Sequence, residues 1–288
     1  MSNTKEIIKK YNIRLTKSLG QNFLNDDRIV ENIVDAAGVG KDDLVIEIGP
    51  GAGSMTRELC KKAGKVVAVE IDKYLIPVLS ETLKEFANLR IINEDVLKVD
   101  FGKDILDVSE EDFKPLTVRV VANLPYYITT PIIMKLLEEN PGIDCMVFMV
   151  QKEVAQRMAA SPGGKDYGAL SVAVQYYSKP EKVFDVPPHC FIPQPEVDST
   201  VIRLNILKTP SVEVRDKDIF FKTIKASFGQ RRKTLVNALS NSGYFIRDKE
   251  EIKKILENIG IGENQRGETL SIAQFAQLAN ELLPKREK

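Results

Sequence analysis

The chain has 288 residues with 41 basic and 41 acidic side chains, so its formal net charge is zero and it is not a polycation. Its charged and apolar fractions are those of an ordinary globular protein. The single histidine, His189, argues against a Ser-His-Asp hydrolase and a multi-histidine metal centre. Three widely separated cysteines argue for a reducing cytoplasm and against a zinc site, and we expect no metal. Neither a secretory signal nor a run of membrane-spanning length is evident.

The first 150 residues alternate between helix-like and strand-like patterns. After a basic N-terminal arm and a helical pattern through Ile29, Ile33 and Val34, strands are predicted at 44–48, 66–70, 89–92, 118–122 and 145–150. Helices are predicted between them, near 55–62, 76–86 and 131–138, and the acidic segment 104–112 is predicted to be a solvated excursion. This alternation indicates an α/β, Rossmann-like fold with a mainly parallel sheet.

The pattern changes after residue 150. A helix is predicted at 152–158 and a loop at 161–168, whereas the apolar stretch 170–177 is ambiguous. A final antiparallel strand pair is predicted at 183–186 and 200–206, joined by the segment 187–195, which is too rich in proline for regular structure. Lys208-Thr-Pro-Ser211 suggests a domain boundary, so we predict one domain at 1–208 and a small all-helical domain at 209–288.

The segment that ends the fourth predicted strand carries a candidate site. Pro125 cannot donate to a sheet ladder, so the strand ends at Asn123-Leu124-Pro125-Tyr126. Leu124 precedes a proline and is pushed to extended geometry, which helps fix its carbonyl. The Asn123 side-chain oxygen and the Leu124 carbonyl would then be two acceptors beside the Tyr126 ring, suited to a planar exocyclic amine. A strand-ending turn with a packing tyrosine is the alternative.

A glycine-rich loop, 49–53, follows the first predicted strand and would let the backbone approach a ligand at a helix N-terminus. Glu70 ends the next strand about twenty residues on, where a carboxylate binds ribose hydroxyls. These features fit both a nicotinamide and an S-adenosylmethionine site. Two acidic residues favour S-adenosylmethionine. Glu47 precedes the glycines in a pattern that resembles that of the methyltransferase class, and Asp95 ends the third strand and could accept from an adenine amine.

Together these motifs resemble those of the small-subunit (16S) ribosomal RNA adenine N6,N6-dimethyltransferase family. The resemblance adds Gln21-Asn-Phe-Leu24 and Phe191-x-Pro-x-Pro-x-Val-Asp-Ser199, in the family's order. It extends over nearly the whole chain, through 228–239, 266–270 and the helix that follows. Each motif alone is weak, whereas the combination is highly specific.

The resemblance implies a catalytic domain at 1–208 with S-adenosylmethionine as the cofactor, bound by residues matching Asn22, Leu24, Gly49, Gly51, Glu70, Asp95 and Asn123. The target adenine would be held by Asn123, Leu124, Pro125 and Tyr126, with Phe191 stacking on its other face; the alternative for Phe191 is a loop anchor. The implied reaction gives N6,N6-dimethyladenosine at two adjacent adenines of a stem-loop near the 3′ end of 16S rRNA, with a role in small-subunit biogenesis.

RNA affinity must come from local basic patches, because the net charge is zero. Within the helical domain we predict phosphate contacts from Lys222, Lys225, Arg231, Arg232 and Lys233. The N-terminal arm is a second patch, with Lys5, Lys9, Lys10, Arg14 and Lys17, and the loop 161–168, with Lys165 and Tyr167, is a weaker candidate. Taken alone, the N-terminal patch and the patch at 219–233 are each more typical of a solvated helix face.

Three alternatives stay open at this point. One is a large-subunit rRNA adenine methyltransferase of the macrolide-resistance type, although 228–239 and 266–280 resemble the small-subunit branch. Another is an assembly factor that acts mainly by binding pre-small-subunits, and the third is a nicotinamide oxidoreductase. For the favoured interpretation, the expected partner is 16S rRNA within a pre-small ribosomal subunit, and the protein is expected to be a cytoplasmic monomer without membrane contact.

Overall fold

The computed structural model of the chain describes residues 4–16, 19–106, 115, 117–140, 142–245 and 248–283. The chain forms two compact units: unit 1 comprises Met1–Ala155 and Pro180–Ile206, and unit 2 comprises Gln156–Lys179 and Leu207–Lys288. The chain passes between the units after Ile206, beside the predicted boundary. It also enters unit 2 at Gln156 and returns to unit 1 after Lys179, and the sequence did not indicate that this segment belongs to unit 2.

Unit 1 is built on a seven-stranded sheet flanked by helices. Its helices are α1 (Thr4–Lys10), α2 (Asp27–Ala37), α3 (Ser54–Lys62), α4 (Ile76–Thr82) and α5 (Thr129–Glu139). Its sheet strands are β2 (Asp43–Ile48), β3 (Lys65–Glu70), β4 (Leu89–Asn93), β5 (Thr117–Asn123), β6 (Cys145–Gln151), β7 (Ser178–Val186) and β9 (Ser199–Ile206). A separate two-stranded sheet pairs β1 (Phe23–Leu24) with β8 (Phe191–Ile192).

The large sheet has the strand order β4-β3-β2-β5-β6-β9-β7. β4, β3, β2, β5 and β6 are parallel, and β9 runs antiparallel to β6. All six residues of β2 are buried because both faces of a central parallel strand are covered by other elements. The predicted α/β fold with a mainly parallel sheet is therefore confirmed.

Local sequence signals position α2, which packs against α3 and the sheet. The Asp26 side chain caps its N-terminus by accepting hydrogen bonds from the backbone N–H groups of Arg28 and Ile29. Gly38 ends it in the left-handed conformation, with φ of 62°. Four buried apolar residues along one face place it over the core: Val30, Ile33, Val34 and Ala37.

Unit 2 is helical. It contains α7 (Ala169–Tyr177), α8 (Lys217–Gly229), α9 (Leu235–Ser240), α10 (Lys249–Asn258) and α11 (Ile272–Leu282), and α6 (Lys152–Met158) leads into it. The ambiguous apolar stretch 170–177 is thus a helix. Tyr167, Phe220 and Phe275 are fully buried in its core. Ser271 caps α11 through a capping box with Gln274.

Two segments differ from the sequence-based prediction. The proline-rich stretch 187–195 contains a 3₁₀ turn at Pro188–Cys190 and the short strand β8. The predicted acidic excursion begins inside a π-helical turn, Phe101–Leu106, whose Phe101 and Ile105 are buried, and its later part lies outside the described residues. Within the part of the chain that the structure describes, no helix is long and apolar enough to cross a membrane.

Candidate active site

A cavity of about 770 Å³ opens in unit 1 beside the carboxyl ends of β2 and β5. The chain continues from β2 to β3 on one side, whereas β5 lies on the other, so the sheet order reverses here. Open α/β sheets bind ligands at such a switch point. The predicted site residues that line the cavity are Asn22, Gly49, Gly51, Glu70, Asp95, Asn123, Leu124, Pro125 and Tyr126.

The glycine loop forms the wall between β2 and α3. Gly51 has a φ of 58°, and a Cβ there would lie 2.9 Å from ring atoms of Phe23, itself a lining residue. Both the backbone conformation and the close approach of Phe23 therefore require glycine at this position. α3 begins after Gly53 without a side-chain cap, which leaves backbone N–H groups at its N-terminus for a ligand.

Glu70 ends β3 as a fixed, nearly buried carboxylate. Its two oxygens accept hydrogen bonds from the backbone N–H groups of Asp72, at 2.8 Å, and Gly51, at 3.3 Å. Burial raises the pKa of Glu70, while these two hydrogen bonds act in the opposite direction. Asp95, half-buried after β4, accepts from the backbone N–H of Leu97 at 3.0 Å. Both acids thus present oxygens of fixed orientation to the cavity.

Glu47 is completely buried beneath the glycine loop, where it lines a smaller cavity together with Gly49, Gly51 and Asn123. Among the described residues, none completes a hydrogen bond to either carboxyl oxygen. Burial raises the pKa of Glu47 to about 8, against a smaller lowering by the nearby Thr56 hydroxyl. An orphaned buried acid beside a glycine loop is a ready acceptor for a ligand's charged donor. The sequence singled out Glu47 for its spacing but gave it no role.

Asn123 is held in one orientation at the end of β5. Its Nδ2 donates to the backbone carbonyl of Asn22 at 2.8 Å, which directs the side-chain oxygen away from that carbonyl. The backbone N–H of Leu124 donates to the Met149 carbonyl at 3.1 Å. None of the described residues donates to Asn123 Oδ1 or to the Leu124 carbonyl. The two acceptors that the sequence predicted are therefore both available in the cavity lining.

Tyr126 is held by Ser199, a residue that is distant from it in the sequence. Its hydroxyl and the Ser199 hydroxyl form a hydrogen bond of 2.6 Å, and Ser199 is fully buried at the start of β9. Burial raises the pKa of Tyr126, so the phenol stays neutral near pH 7. Ser199 closes the motif that begins at Phe191, but the sequence gave no sign of this contact.

The N-terminal segment is fastened across the cavity by Gln21. Its Oε1 accepts from the backbone N–H of Thr16 at 2.8 Å, and its Nε2 donates to Asp72 Oδ2 at 2.8 Å. Since Asp72 also donates its backbone N–H to Glu70, one network links the segment 19–23 to the carboxylate that ends β3. Sequence reasoning recorded Gln21 within a motif but did not identify this role, and it overlooked Asp72.

Leu24 and Phe191 lie apart from the main cavity. They are paired with each other across β1 and β8, and Phe191 is 2% exposed within the core of unit 1. Leu24 lines the smaller cavity near Glu47, whereas Phe191 lines neither. The structure thus places Phe191 as a packed anchor, and stacking on a base would require it to leave the core. That predicted role stays a prediction.

The basic residues predicted to bind RNA in unit 2 fall into different environments. Lys222 pairs with Asp218 at 2.6 Å, and the Lys225 ammonium lies 5.9 Å from the centre of the Tyr244 ring. Arg231 donates to the backbone carbonyls of Lys165 and Tyr167 at 2.9 and 3.2 Å. The neighbouring pair, Arg232 and Lys233, is exposed.

The contacts of Arg231 and Tyr167 change the interpretation of these two residues as RNA contacts. Arg231 also approaches Glu268 at 3.6 Å, so it joins the loop 161–168 to the segment before α11. Tyr167 is fully buried and donates to the Leu270 carbonyl at 2.9 Å, which rules it out as a surface RNA contact in this conformation. In the N-terminal arm, the exposed basic residues are Lys5, Lys9, Lys10 and Arg14, and Lys17 lies outside the described residues.

The sheet order, the glycine loop and the acidic residues Glu70 and Asp95 fit an S-adenosylmethionine-dependent methyltransferase. The sequence model described as "Ribosomal RNA adenine dimethylase" matches residues 12–283. The chain therefore belongs to the ribosomal RNA adenine dimethylase family. This confirms the predicted family, enzyme class and cofactor, and it disfavours the nicotinamide oxidoreductase.

Similar proteins agree with this assignment. A protein of Alkaliphilus oremlandii named "Ribosomal RNA small subunit methyltransferase A" is 55% identical over 98% of this chain and 96% of its own length. A protein of the same name from Clostridioides difficile is 53% identical over 96% of this chain and 94% of its own length. Among solved structures, a dimethyladenosine transferase from Plasmodium falciparum matches with a TM-score of 0.74 and 28% identity, covering 89% of this chain and 95% of that one. The 23S rRNA methyltransferase ErmE matches with a TM-score of 0.66 and 26% identity, covering 91% and 99%.

Proposed function

We propose that this chain transfers methyl groups from S-adenosylmethionine to N6 of two adjacent adenines in the 3′-terminal stem-loop of 16S rRNA, giving N6,N6-dimethyladenosine. It would act as a cytoplasmic monomer on the rRNA of a partly assembled small subunit. The pair of acceptors at the end of β5, Asn123 Oδ1 and the Leu124 carbonyl, carries the proposed chemistry. The small-subunit name of relatives at 52–55% identity supports the choice of target.

The residues of the site fit S-adenosylmethionine, which supplies a methyl group on a positively charged sulfur. The cofactor carries a ribose diol, an adenine amine and an amino-acid ammonium group, and each has an acid available to it. Glu70 at the end of β3 would accept from the ribose hydroxyls, and Asp95 after β4 from the adenine amine. The orphaned Glu47 carboxyl beneath the glycine loop would accept from the ammonium group.

The target amine needs positioning more than it needs a base. The lone pair of an adenine N6 amine is delocalised into the ring, so the amine is a poor nucleophile. Asn123 Oδ1 and the Leu124 carbonyl would accept hydrogen bonds from its two N–H groups. These hydrogen bonds would favour the pyramidal geometry that frees the lone pair. Because Asn22 and Ser199 hold Asn123 and Tyr126 in place, the arrangement is largely preorganised. A site without histidine suits this mechanism.

Charge separation between the units supports unit 2 as the main RNA contact. Unit 2 contains 19 basic and 12 acidic residues, whereas unit 1 contains 22 basic and 29 acidic residues. Unit 2 is therefore basic, although the net charge of the whole chain is zero. Phosphate contacts from Lys222, Lys225, Arg232 and Lys233 would provide affinity that does not depend on sequence, while the cavity selects the base. Arg231 would contribute mainly by fixing the loop 161–168.

The test is labelled-methyl transfer from S-adenosylmethionine to three substrates: unmethylated small subunits, naked small-subunit rRNA and large-subunit rRNA. We expect dimethyladenosine chiefly on small subunits, at two adjacent adenines located by primer-extension mapping. Asn123→Ala is the matched control, because it removes one acceptor and should abolish transfer while small-subunit binding persists.

The other outcomes separate the alternatives. Transfer to large-subunit rRNA would favour the alternative of a large-subunit enzyme of the macrolide-resistance type, and the 23S rRNA methyltransferase ErmE has a similar fold. Tight binding to small subunits without transfer would favour an assembly factor. Equal transfer to naked rRNA would contradict the proposal that a partly assembled subunit is the substrate.

A further inference from the structure

An exposed aromatic ring, that of Tyr127, lies in the lining of the cavity. Among the described residues six aromatic or large apolar side chains are exposed, and two of them, Ile71 (49%) and Tyr127 (60%), line the cavity. An exposed aromatic ring in the lining of a cavity offers a ligand a face on which to stack, and covering it removes apolar surface from water. The proposed chemistry accounts for the cavity itself and for Tyr126, but it leaves the exposed ring of Tyr127 without a role.

The Tyr127 ring is held by its neighbours in the structure. A Cβ built on Gly20 would lie 3.1 Å from Cδ1 and 3.4 Å from Cε1 of Tyr127, so the ring rests directly against this glycine. Gly20 has a φ of 58°, which few other residues adopt. The ring is thus supported on one side by the N-terminal segment and exposed on the other. A supported aromatic ring with an open side is what a stacking base requires.

We propose that Tyr127 is the stacking platform for the nucleobase next to the target adenine. This inference rests on the proposed function, in which the two target adenines are adjacent. When one adenine enters the cavity beside Tyr126, its neighbour loses a stacking partner within the RNA. Tyr126 and Tyr127 are consecutive residues that both line the cavity, so the neighbouring base would meet Tyr127 at the entrance. Stacking there would offset part of the cost of unstacking the target.

The proposal also gives the site a preference for its sequence context. A purine beside the target stacks more strongly on an aromatic ring than a pyrimidine does, so an adjacent adenine would be favoured. Whichever adenine is in the cavity, the other would occupy the platform, and Tyr127 would serve both halves of the reaction. No hydrogen bond to the neighbouring base is needed, because every base has a face that can stack.

The experiment measures kcat/KM for methyl transfer to small subunits carrying either the natural adenine pair or one adenine replaced by uracil. The enzymes are the wild type, Tyr127→Phe, Tyr127→Ala and Tyr74→Ala. Tyr74 is a matched control, since it is 76% exposed but does not line the cavity. Binding of S-adenosylmethionine alone is measured for all four by calorimetry.

We expect Tyr127→Ala to lower kcat/KM on the natural pair by roughly tenfold or more, the size of one lost base–aromatic stack. Tyr127→Phe should stay near the wild type, as should Tyr74→Ala. Replacing the neighbouring adenine with uracil should lower transfer by the wild type but have little further effect on Tyr127→Ala, because both changes remove the same contact.

Four results would overturn the proposal: full activity of Tyr127→Ala, an equal loss in Tyr127→Phe, additive losses from the protein and RNA changes, or a matching loss of S-adenosylmethionine affinity. The last would make Tyr127 part of the cofactor site. Failure of the wild type to methylate small subunits would instead refute the proposed function.

Discussion

Replacing Glu47 with glutamine should change how the stability of unit 1 depends on pH. In the folded protein, burial holds the pKa of Glu47 at about 8, whereas its ordinary value is 4.5. Between these values the folded state keeps the proton and the unfolded state releases it, so the free energy of unfolding falls as pH rises. The slope approaches about 1.4 kcal/mol per pH unit for one proton. Between pH 5 and 7.5 this group alone therefore costs the protein about 3 kcal/mol of stability.

Glutamine resembles the protonated acid in shape but does not titrate. We expect the free energy of unfolding of Glu47→Gln to exceed that of the wild type by about 1 kcal/mol at pH 5 and by about 4 kcal/mol at pH 7.5, so that the difference widens by about 3 kcal/mol. The measurement is urea unfolding of the cofactor-free protein at a series of pH values. Unfolding is monitored by far-UV circular dichroism because the chain has no tryptophan. Glu31→Gln, an exposed position on α2, is the control and should leave the pH dependence unchanged.

Parallel stability curves for the wild type and Glu47→Gln across this pH range would refute the reasoning. They would mean that the buried carboxyl gains a partner or a water molecule that lets it ionise without cost. A constant loss of stability added to the expected difference in slope would show only that the amide fits the site poorly, because the slope of the free energy of unfolding against pH is the test.

Four further substitutions test the other assignments. Asn123→Ala should reduce methyl transfer by orders of magnitude with a circular dichroism spectrum like the wild type's, and near-normal turnover would sink its proposed role. Ser199→Ala removes the hydrogen bond that holds Tyr126, so single-turnover methyl transfer should slow about tenfold, the equivalent of about 1.4 kcal/mol, while S-adenosylmethionine affinity stays constant. Arg232→Ala should reduce the salt dependence of small-subunit binding by about one unit of slope. Arg231→Ala should instead lower thermal stability because it frees two backbone carbonyls; the reverse pattern would contradict both assignments.

The architecture of unit 1 was predictable because its strands are short apolar runs separated by helical patterns. The end of β5 was predictable from Pro125 alone, and the acceptors beside it follow from the restricted geometry of Leu124. Such signals are local, since they depend on neighbours in the sequence. The same holds for the cap of α11 at Ser271.

What the sequence did not show depends on contacts between distant residues. Ser199 meets Tyr126, and Gln21 meets Asp72, through side chains that only the folded chain brings together. Arg231 reads as a phosphate contact beside Arg232 and Lys233, yet its guanidinium points to two backbone carbonyls. Spacing and composition carry no information about such pairs, so a motif can be recognised while the partner that fixes it stays unknown.

The pairing of β1 with β8 makes one support of the site depend on a stretch of chain that is synthesised late. Phe23 leaves the ribosome early, but its strand partner Ile192 is added much later. At ~5–20 residues per second, the delay is roughly 10 to 30 s. Until then the segment that holds Asn123 through the Asn22 carbonyl has no strand to pair with. A nascent chain that already contains the glycine loop and β5 would thus still lack this support for Asn123 before residue 192 has emerged.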